Sequence, residues 1–358
     1  MNVAVIGIQG YGASYFDALG KRTDASALAV CDLDATAAGR VADAHGVKLR
    51  FTDYRELLKH PDIAAVFIAT PHFLHYPMVM DALRAGKHVF CEKPLALRGD
   101  QADEMARTAR QRGLVLTCHY NQRQTDYVKA LRQLVQRGLL GDIYEANVRW
   151  MARWTSFMFD SRTSWRLQKD KAGGGILIGR GSHLIDAIWY ILGKRPIRSI
   201  SASLHNHLTG TQVEDFASAI LRFDGDLTVR LQCSYVAHSA PFRERMEYEL
   251  YGTLGGASYA RGDGVESALR VGRCHLADGR WEDLAGHLDL PALACAKPVS
   301  LVDDFLDAIA EHRDPTVTGE DAAYITRVLE AGYESARTGK EVAMTTTPTH
   351  APSVIPRR

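Results

Sequence analysis

The sequence lacks several features that would each indicate a particular class of protein. Its formal net charge is only +1, so it has no basic excess suited to nucleic acid or an anionic membrane. No apolar run approaches the roughly 20 residues that a membrane helix needs. The first residues also lack the charged leader and apolar core of a signal peptide. We therefore expect a cytoplasmic protein that binds neither nucleic acid nor membrane.

The sequence also lacks the residue patterns that are typical of metal sites and disulfide frameworks. The six cysteines are scattered and contain no C-x-x-C pair, which favours free thiols in a reducing compartment. Two histidine pairs, His72 with His75 and His205 with His207, have no cysteine or carboxylate cluster at ligand spacing. We predict no disulfide framework and no metal site.

The first 120 of the 358 residues alternate between short apolar strands and amphipathic helices. Glycine and proline separate the elements, as at Gly46, Pro61, Gly86 and Gly113. Nearly continuous apolar strands between helices predict a parallel sheet that is covered on both faces. The predicted strands are Val3–Ile6, Ala27–Cys31, Lys48–Phe51, Ala65–Ala69, His88–Cys91 and Leu114–His119.

The pattern changes after about residue 140, where strands follow one another and a mostly antiparallel sheet is indicated. Helices are predicted at Ser182–Leu192, Val299–Glu311 and Gly319–Thr338. We therefore expect a nucleotide-binding domain over 1–120, a substrate and oligomerisation domain over 121–344, and a frayed tail over 345–358. The predicted strands are Tyr144–Met151, Ile197–Leu204, Phe216–Phe223, Thr228–Ser234 and Arg245–Tyr251.

The stretch VAVIGIQGYG at Val3–Gly12 is typical of a dinucleotide-binding loop, with one departure. Gly7 and Gly12 fit the first and third glycines of G-x-G-x-x-G, but Gln9 takes the second place. A Cβ there crowds the pyrophosphate, and Gly10 can absorb the strain by bending the loop one residue later. The residues predicted to contact the cofactor are Gly7, Ile8, Gln9, Gly10, Tyr11 and Gly12.

Asp32 stands at the end of the second strand, 20 residues after Gly12. This is the spacing at which an acidic residue accepts the ribose hydroxyls of a dinucleotide. Leu33 follows, where an NADP enzyme often has a basic residue, and a carboxylate repels a 2′-phosphate. We predict NAD rather than NADP as the cofactor.

Four further segments resemble the Gfo/Idh/MocA oxidoreductases, and together they extend over nearly the whole chain. They are FIATPHFLH (Phe67–His75), GKHVFCEKPLAL (Gly86–Leu97), GGGILIGRGSHLIDAIWYILG (Gly173–Gly193) and TGEDAAYITRVLEAGYESARTGKEV (Thr318–Val342). The resemblance implies an α/β fold: an N-terminal Rossmann domain, then a C-terminal α/β domain with a large, mostly antiparallel open sheet. It also implies a homodimer or homotetramer that assembles through an uncovered apolar face of that sheet.

The resemblance also implies roles for particular residues. Glu92 and Lys93 would lie at the nicotinamide, with Lys93 at the reacting hydroxyl and His183 as an acid–base or orienting residue. The chemistry requires such groups, because a hydride leaves a carbinol carbon only as the O–H proton is withdrawn. Thr70, Pro71 and His75 would lie near the cofactor.

The family signature departs from its usual form at Gly179, where the family has an aspartate. The loss of this carboxylate beside Arg180 favours either a poor polyol oxidase or a larger or anionic substrate that uses the room left by Gly179. Further substrate contacts are predicted where ligands meet strand ends and in the aromatic connection before the glycine run. The predicted substrate contacts are Tyr120, Asn121, Arg123, Trp165, Arg166, Arg180 and Asp186.

The sequence thus predicts an NAD-dependent oxidoreductase that acts on a hydroxyl-bearing carbon of a sugar, cyclitol or related ring. Two alternatives remain open at this point. The chain could use NAD as a recycled cofactor in glycoside cleavage, as some members of the family do. It could also be a non-catalytic sensor that binds the cofactor, for which Gln9 and Gly179 are the only indications.

Overall fold

The computed structural model describes residues 1–155, 158, 164–238, 243–263, 265–284, 288 and 300–344. The chain divides into two compact units. Unit 1 comprises residues 1–120, 171–173 and 300–326, and unit 2 comprises the described parts of 121–170, 174–298 and 327–344. The predicted tail at 345–358 lies outside the described residues.

Unit 1 is built on a six-stranded parallel sheet in the order β3-β2-β1-β4-β5-β6. This order places a switch point between β1 and β4, where a doubly wound sheet binds its ligand. All four residues of β4 are buried, in agreement with the apolar pattern of a sheet that is covered on both faces. The strands are β1 Asn2–Ile6, β2 Ser26–Cys31, β3 Leu49–Phe51, β4 Ala65–Ile68, β5 His88–Cys91 and β6 Leu116–Cys118.

The predicted helices agree with the described ones to within a few residues, but the amphipathic α6 and the four-residue α7 were not predicted. The described helices are α1 Ser14–Leu19, α2 Ala35–His45, α3 Tyr54–Leu58, α4 His75–Arg84, α5 Gly99–Gln111, α6 Asp126–Gln136, α7 Lys169–Ala172, α8 Ser182–Ile191, α9 Leu301–Ala310 and α10 Gly319–Thr338.

The late helix α9 belongs to the core of unit 1, although the sequence placed it in the second domain. Phe305 is completely buried, with ring centroids 5.5 Å from Phe67 on β4 and 5.6 Å from Phe90 on β5. Arg22, just beyond α1, makes ion pairs with Asp303 and Asp307 at 3.2 and 2.7 Å. Apolar packing and charge pairing therefore return a distant segment to the first sheet, which periodicity alone cannot reveal.

Unit 2 contains a nine-stranded sheet in the order β14-β13-β12-β11-β7-β10-β9-β8-β15. Only β7 and β10 pair in parallel among these described strands, so the predicted mostly antiparallel sheet is confirmed. The strands are β7 Ile143–Ala152, β8 Ile197–His205, β9 Phe216–Phe223, β10 Thr228–Ser234, β11 Glu244–Gly252, β12 Gly256–Gly262, β13 Val265–Cys274, β14 Trp281–Asp283 and β15 Val342–Ala343.

The strands β12, β13, β14 and β15 were not predicted. β12 reads GASYARG and has few large apolar residues to mark a buried face, and β14 and β15 have only three and two residues. Such strands form because neighbouring strands supply their hydrogen-bond partners, and their own propensity is weak.

On the central strands β7 and β11, the less buried face of the unit 2 sheet is mainly polar, where an uncovered apolar face was expected. Residues that alternate with the buried positions of β7 and β11 include Asn147, Arg149, Glu247 and Glu249. Asn147 donates to Glu249 Oε2 at 3.1 Å, and Arg149 lies 3.5 Å from Glu247 Oε2. An interface on this face would have to match charges rather than bury an apolar surface.

Among the residues that the structure describes, no helix combines the length and apolar character needed to cross a bilayer.

Candidate functional site

The glycine loop joins β1 to α1 and bends at two glycines with left-handed backbone. Gly7 has φ +81° and Gly10 has φ +73°, whereas Gln9 between them is extended, with φ −77°. The bend therefore occurs one residue after Gln9, as predicted. Gly12 is required for another reason, because a Cβ there would lie 1.9 Å from the carbonyl oxygen of Gly7.

Asp32 lies just beyond β2, and its carboxylate joins two neighbouring loops. Oδ2 accepts a hydrogen bond from the Ile8 backbone N–H at 3.0 Å, and Oδ1 accepts one from the Asp34 N–H at 3.0 Å. Each carboxylate oxygen has further acceptor capacity, which can receive ribose hydroxyls. The bent loop and this carboxylate fit a dinucleotide with free ribose hydroxyls.

His75, predicted to lie near the cofactor, opens α4 and is completely buried. Its Nδ1 lies 2.7 Å from the Pro94 carbonyl oxygen, and its Nε2 lies 2.9 Å from the Thr70 carbonyl oxygen. Burial lowers the pKa of His75, while the two carbonyl contacts oppose that change. His75 therefore joins the Thr70-Pro71 segment to the Glu92-Lys93-Pro94 (E-K-P) segment through two backbone carbonyl groups, and its place near the cofactor stays a prediction.

Glu92 is held by two side chains that the sequence analysis did not identify. The Tyr15 hydroxyl donates to Glu92 Oε1 at 2.5 Å, and His119 Nδ1 lies 2.8 Å from the same oxygen. Burial alone raises the pKa of Glu92, but the charge of His119 and the hydrogen bonds from His119 and Tyr15 outweigh it and lower the pKa to about 2. The carboxylate therefore stays ionised beside the partly exposed Lys93, whose backbone N–H lies 3.3 Å from Glu92 Oε2.

In unit 2, a π-helical turn at Leu177–Gly181 leads directly into α8, where His183 is the second residue. π-turns are rare and often mark functional sites. His183 is only 8% exposed. Gly179 and Arg180 lie within the π-turn, so the residues that depart from the family signature share one local structure with the predicted acid–base histidine.

The room expected at Gly179 is absent, which corrects that prediction. A Cβ on Gly179 would lie 1.7 Å from the hydroxyl oxygen of Tyr235, which follows β10. Burial raises the pKa of Tyr235, which keeps the hydroxyl protonated. A neutral donor therefore occupies the space where the family signature has a carboxylate.

The glycine run before the π-turn packs against a buried acid. A Cβ on Gly174 would lie 1.9 Å from the Tyr333 hydroxyl, and one on Gly175 would lie 1.9 Å from the Glu214 carbonyl oxygen. Glu214 Oε1 accepts hydrogen bonds from Tyr333 at 2.7 Å and from the Leu177 N–H at 3.0 Å. These contacts fix the backbone that leads to Gly179.

Arg123 and Asp186, both predicted to contact the substrate, form a buried ion pair with each other. Both side chains are completely buried, and Arg123 Nε lies 3.0 Å from Asp186 Oδ2 while Nη2 lies 2.5 Å from Oδ1. Tyr120 is also completely buried, whereas Asn121 is exposed in a 3₁₀ turn. The ion pair joins two segments of unit 2, and the side chains of Tyr120, Arg123 and Asp186 are all buried in this structure, so their contact with substrate stays a prediction.

The other predicted substrate residues of unit 2 stack as cation–aromatic pairs. The Arg166 guanidinium carbon lies 4.7 Å from the centroid of the Trp165 ring, and that of Arg180 lies 4.7 Å from the Trp150 ring. All three predicted residues, Trp165, Arg166 and Arg180, are partly exposed. Stacking on an aromatic ring restrains the plane of each guanidinium.

The histidine pairs do not gain the ligands that a metal site needs. The imidazole rings of His205 and His207 stack with their centroids 4.9 Å apart. His72 Nδ1 lies 2.8 Å from the Ala172 carbonyl oxygen. Over the described ranges, no group of three or more histidine, cysteine, aspartate or glutamate side chains is placed to hold a metal ion.

Sequence reasoning overlooked Tyr15, His119, Glu214 and Tyr235. His119 had a usable signal, because it ends the predicted strand just before Tyr120, at the edge where ligands bind. Tyr15 likewise follows the glycine loop directly. No sequence signal pointed to Glu214 or Tyr235, because their importance depends on contacts with residues far away in the sequence.

Two family profiles match the chain and together cover more than half of it. Residues 1–120 match "Oxidoreductase family, NAD-binding Rossmann fold", and residues 128–258 match "GFO/IDH/MocA C-terminal domain".

Among curated proteins, the chain is 26% identical to 1,5-anhydro-D-fructose reductase of Ensifer adhaerens, over 91% of this chain and 93% of that protein. It is 26% identical to levoglucosan dehydrogenase of Pseudarthrobacter phenanthrenivorans, over 84% of each chain. Among solved structures, it is 25% identical to GenD2 from gentamicin A biosynthesis in complex with NAD, with a TM-score of 0.78 over 97% of each chain.

The matched domains agree with the parallel sheet, the bent glycine loop and Asp32 in unit 1, and with the large mixed sheet of unit 2. The chain belongs to the Gfo/Idh/MocA family of oxidoreductases, and its first domain is an NAD-binding Rossmann domain.

Proposed function

We propose that the protein oxidises a secondary hydroxyl on a sugar, cyclitol or related ring. The carbinol carbon loses a hydride, its hydroxyl loses a proton, and a ketone forms while NAD⁺ becomes NADH. Two relatives support this class of substrate, because their names describe a reductase of an anhydro sugar and a dehydrogenase of levoglucosan.

The observation that carries the proposal is the ordered E-K-P segment at the carboxyl end of β5. Glu92 is fixed by Tyr15 and His119, and the Pro94 carbonyl is fixed by His75. The loop that receives the cofactor and Asp32 follow β1 and β2 of the same sheet. A positioned lysine at this edge is the group that proton withdrawal from a substrate hydroxyl requires.

Each residue then has a proposed role. Asp32 accepts the ribose hydroxyls, and the loop from Gly7 to Gly12 receives the pyrophosphate. Bound NAD supplies the hydride acceptor. Lys93 withdraws the hydroxyl proton, and the neighbouring ionised Glu92 stabilises its charged form. His183 is proposed, from the family resemblance, as the second acid–base or orienting group.

A substrate panel with NAD tests this function. NAD binding is measured by calorimetry, and NADH formation is followed by absorbance over sugars, cyclitols and anhydro sugars. Net NADH formation with at least one ring substrate supports the proposal. Product formation from a glycoside without net NADH would instead establish recycled-cofactor cleavage. NAD binding with no turnover across the panel would favour a sensor.

We also propose a cytoplasmic homodimer or homotetramer. The scattered cysteines support the reducing compartment. The polar face of the unit 2 sheet offers a large surface for assembly, through paired charges rather than apolar contact.

A further inference from the structure

The edge strand β6 of the unit 1 sheet is held by few contacts. Among the described strands it pairs with β5 alone, and it has only three residues. Thr117 Oγ1 donates to the Val317 carbonyl oxygen at 2.7 Å, which anchors the middle of the strand. Just before its amino end, the Val115 carbonyl oxygen accepts a hydrogen bond from the Val89 N–H at 2.9 Å. Because an edge strand has a partner on one side only, the loss of one contact at this end removes a large share of its pairing.

A histidine side chain supplies the other contact at that end. The Val115 N–H donates to His88 Nδ1 at 2.9 Å, so the imidazole takes the place of a backbone carbonyl oxygen. A ring nitrogen accepts a hydrogen bond only while it carries no proton. His88 is therefore the neutral tautomer with its proton on Nε2.

Protonation of His88 would remove this contact. Both nitrogens of an imidazolium are donors, so Nδ1–H would face the Val115 N–H across 2.9 Å. Two donors repel each other at that distance, and the amide loses its acceptor. The His88 ring must then turn away, or the amino end of β6 must separate from β5.

His88 is half-buried and lines a cavity of about 370 Å³ at the amino ends of β5 and β6. The cavity is therefore at the opposite end of these strands from Glu92 and His119. The charged and titratable groups that line the same cavity are Arg110, His312, Arg313, Asp314 and Glu320.

The charges around the cavity favour neutral His88. Arg110 lies 2.9 Å from both Asp314 Oδ1 and Glu320 Oε1, so these two carboxylates are already paired. Burial lowers the pKa of His88, and the charge of His312 lowers it further. The cavity therefore supports the protonation state that the hydrogen bond requires.

We propose that His88 is a pH-sensitive switch that holds the amino end of β6 on β5 while neutral and releases it when protonated. His119, which contacts Glu92, directly follows β6. Release of β6 therefore loosens the strand that leads to the contacts of the E-K-P segment. The switch lies in the NAD-binding domain and does not depend on the substrate of the proposed reaction.

Hydrogen–deuterium exchange of residues 114–118 in the full chain tests the switch at about pH 7.5 and about pH 5, on either side of the ordinary histidine pKa. Because the folded pKa of His88 is lowered, the contact is fully present above the ordinary value of about 6.5 and is lost as the pH falls through the lowered one. After correction for the intrinsic pH dependence of exchange, we expect protection of this segment to fall at least about tenfold at the lower pH, the scale of one hydrogen bond.

His88→Asn is the decisive variant. Its amide oxygen is as many bonds from Cα as Nδ1 is, and it accepts the same hydrogen bond without titrating. This variant should keep the protection at the higher pH and abolish the additional loss at the lower pH, whereas His88→Leu should lose protection at both. The matched control is His60→Asn, because His60 Nδ1 also accepts a backbone N–H, from Asp62 at 3.3 Å, but within its own loop. The control should behave like the wild type.

Equal pH dependence of exchange in the wild type and His88→Asn would overturn the inference, as would unchanged protection of residues 114–118 in the wild type. An NMR titration of the wild type keeps the test independent of how the variants fold. We expect the Val115 amide signal to shift with the same midpoint as the His88 ring, and two different midpoints would also overturn the switch. His312→Gln should raise that midpoint, because a like charge at the cavity is removed.

Discussion

Position 179 has no room for a side chain, because Tyr235, which is far away in the sequence, occupies that space. The Tyr235 hydroxyl lies where a side chain at position 179 would begin, so the tyrosine requires a glycine at that position. The sequence revealed the missing aspartate, but it could not reveal what had replaced it. A residue's role here depends on its neighbour in space.

Gly179→Ala should therefore destabilise the protein by about 1–3 kcal/mol, the usual cost of overpacking. Gly181→Ala is the matched control, because its nearest obstacle is the flexible end of Leu177 at 3.0 Å. Chemical denaturation measures both. In a Tyr235→Ala background, the cost of Gly179→Ala should largely disappear, and an undiminished cost there would show that Tyr235 is not the obstacle.

Asp32 is the residue whose role the sequence predicted most directly. Asp32→Ala should weaken NAD binding by about 1–3 kcal/mol, because hydrogen bonds to a charged group are lost. It should also reduce discrimination against NADP, because the repulsion of a 2′-phosphate disappears. Calorimetry with both cofactors measures the change.

Asp34→Ala serves as the control for Asp32→Ala. Asp34 caps α2 through the N–H groups of Thr36 and Ala37, so its loss should lower stability by about 0.5–2 kcal/mol without changing cofactor preference. Unchanged NAD affinity in Asp32→Ala would refute the assignment of the ribose site.

At the scale of elements, the ion pair of Arg123 and Asp186 joins α8 to the turn before α6. Removing one partner leaves an uncompensated buried charge, so Asp186→Asn or Arg123→Met should cost about 3–5 kcal/mol of unfolding free energy. The exposed pair Arg337–Glu334 is the control, and Arg337→Met should cost less than about 1 kcal/mol. A loss of substrate affinity without a loss of stability in Asp186→Asn would instead support the predicted substrate role of Asp186.

The helices and strands also show which features a local sequence pattern can predict. The strands of the first sheet were predicted because β4 and β5 are short apolar runs bounded by turn residues, which is a local signal. The sequence likewise identified the glycine loop and Asp32, because their spacing is local. Three features depend on long-range contacts, which no local pattern contains: the pairing of Arg123 with Asp186, the return of Phe305 to the first sheet, and the pairing of β15 with β8.

For the whole molecule, the proposed assembly through the polar face of the unit 2 sheet leads to a prediction about salt. We expect a homodimer or homotetramer whose interface weakens as salt screens its charges. Light scattering at low and high ionic strength measures the mass of the assembly in each condition. A mass of 39.5 kDa at micromolar concentration in low salt would show a monomer and remove the prediction.

The whole molecule is an NAD-binding oxidoreductase, and we propose that Lys93 moves the proton of the substrate hydroxyl. The most direct test measures kcat on the best substrate of the panel, and NAD affinity, for Lys93→Met. We expect kcat to fall about 10²–10⁴-fold, the usual contribution of general acid–base catalysis, with NAD affinity little changed. Full activity in Lys93→Met would contradict it.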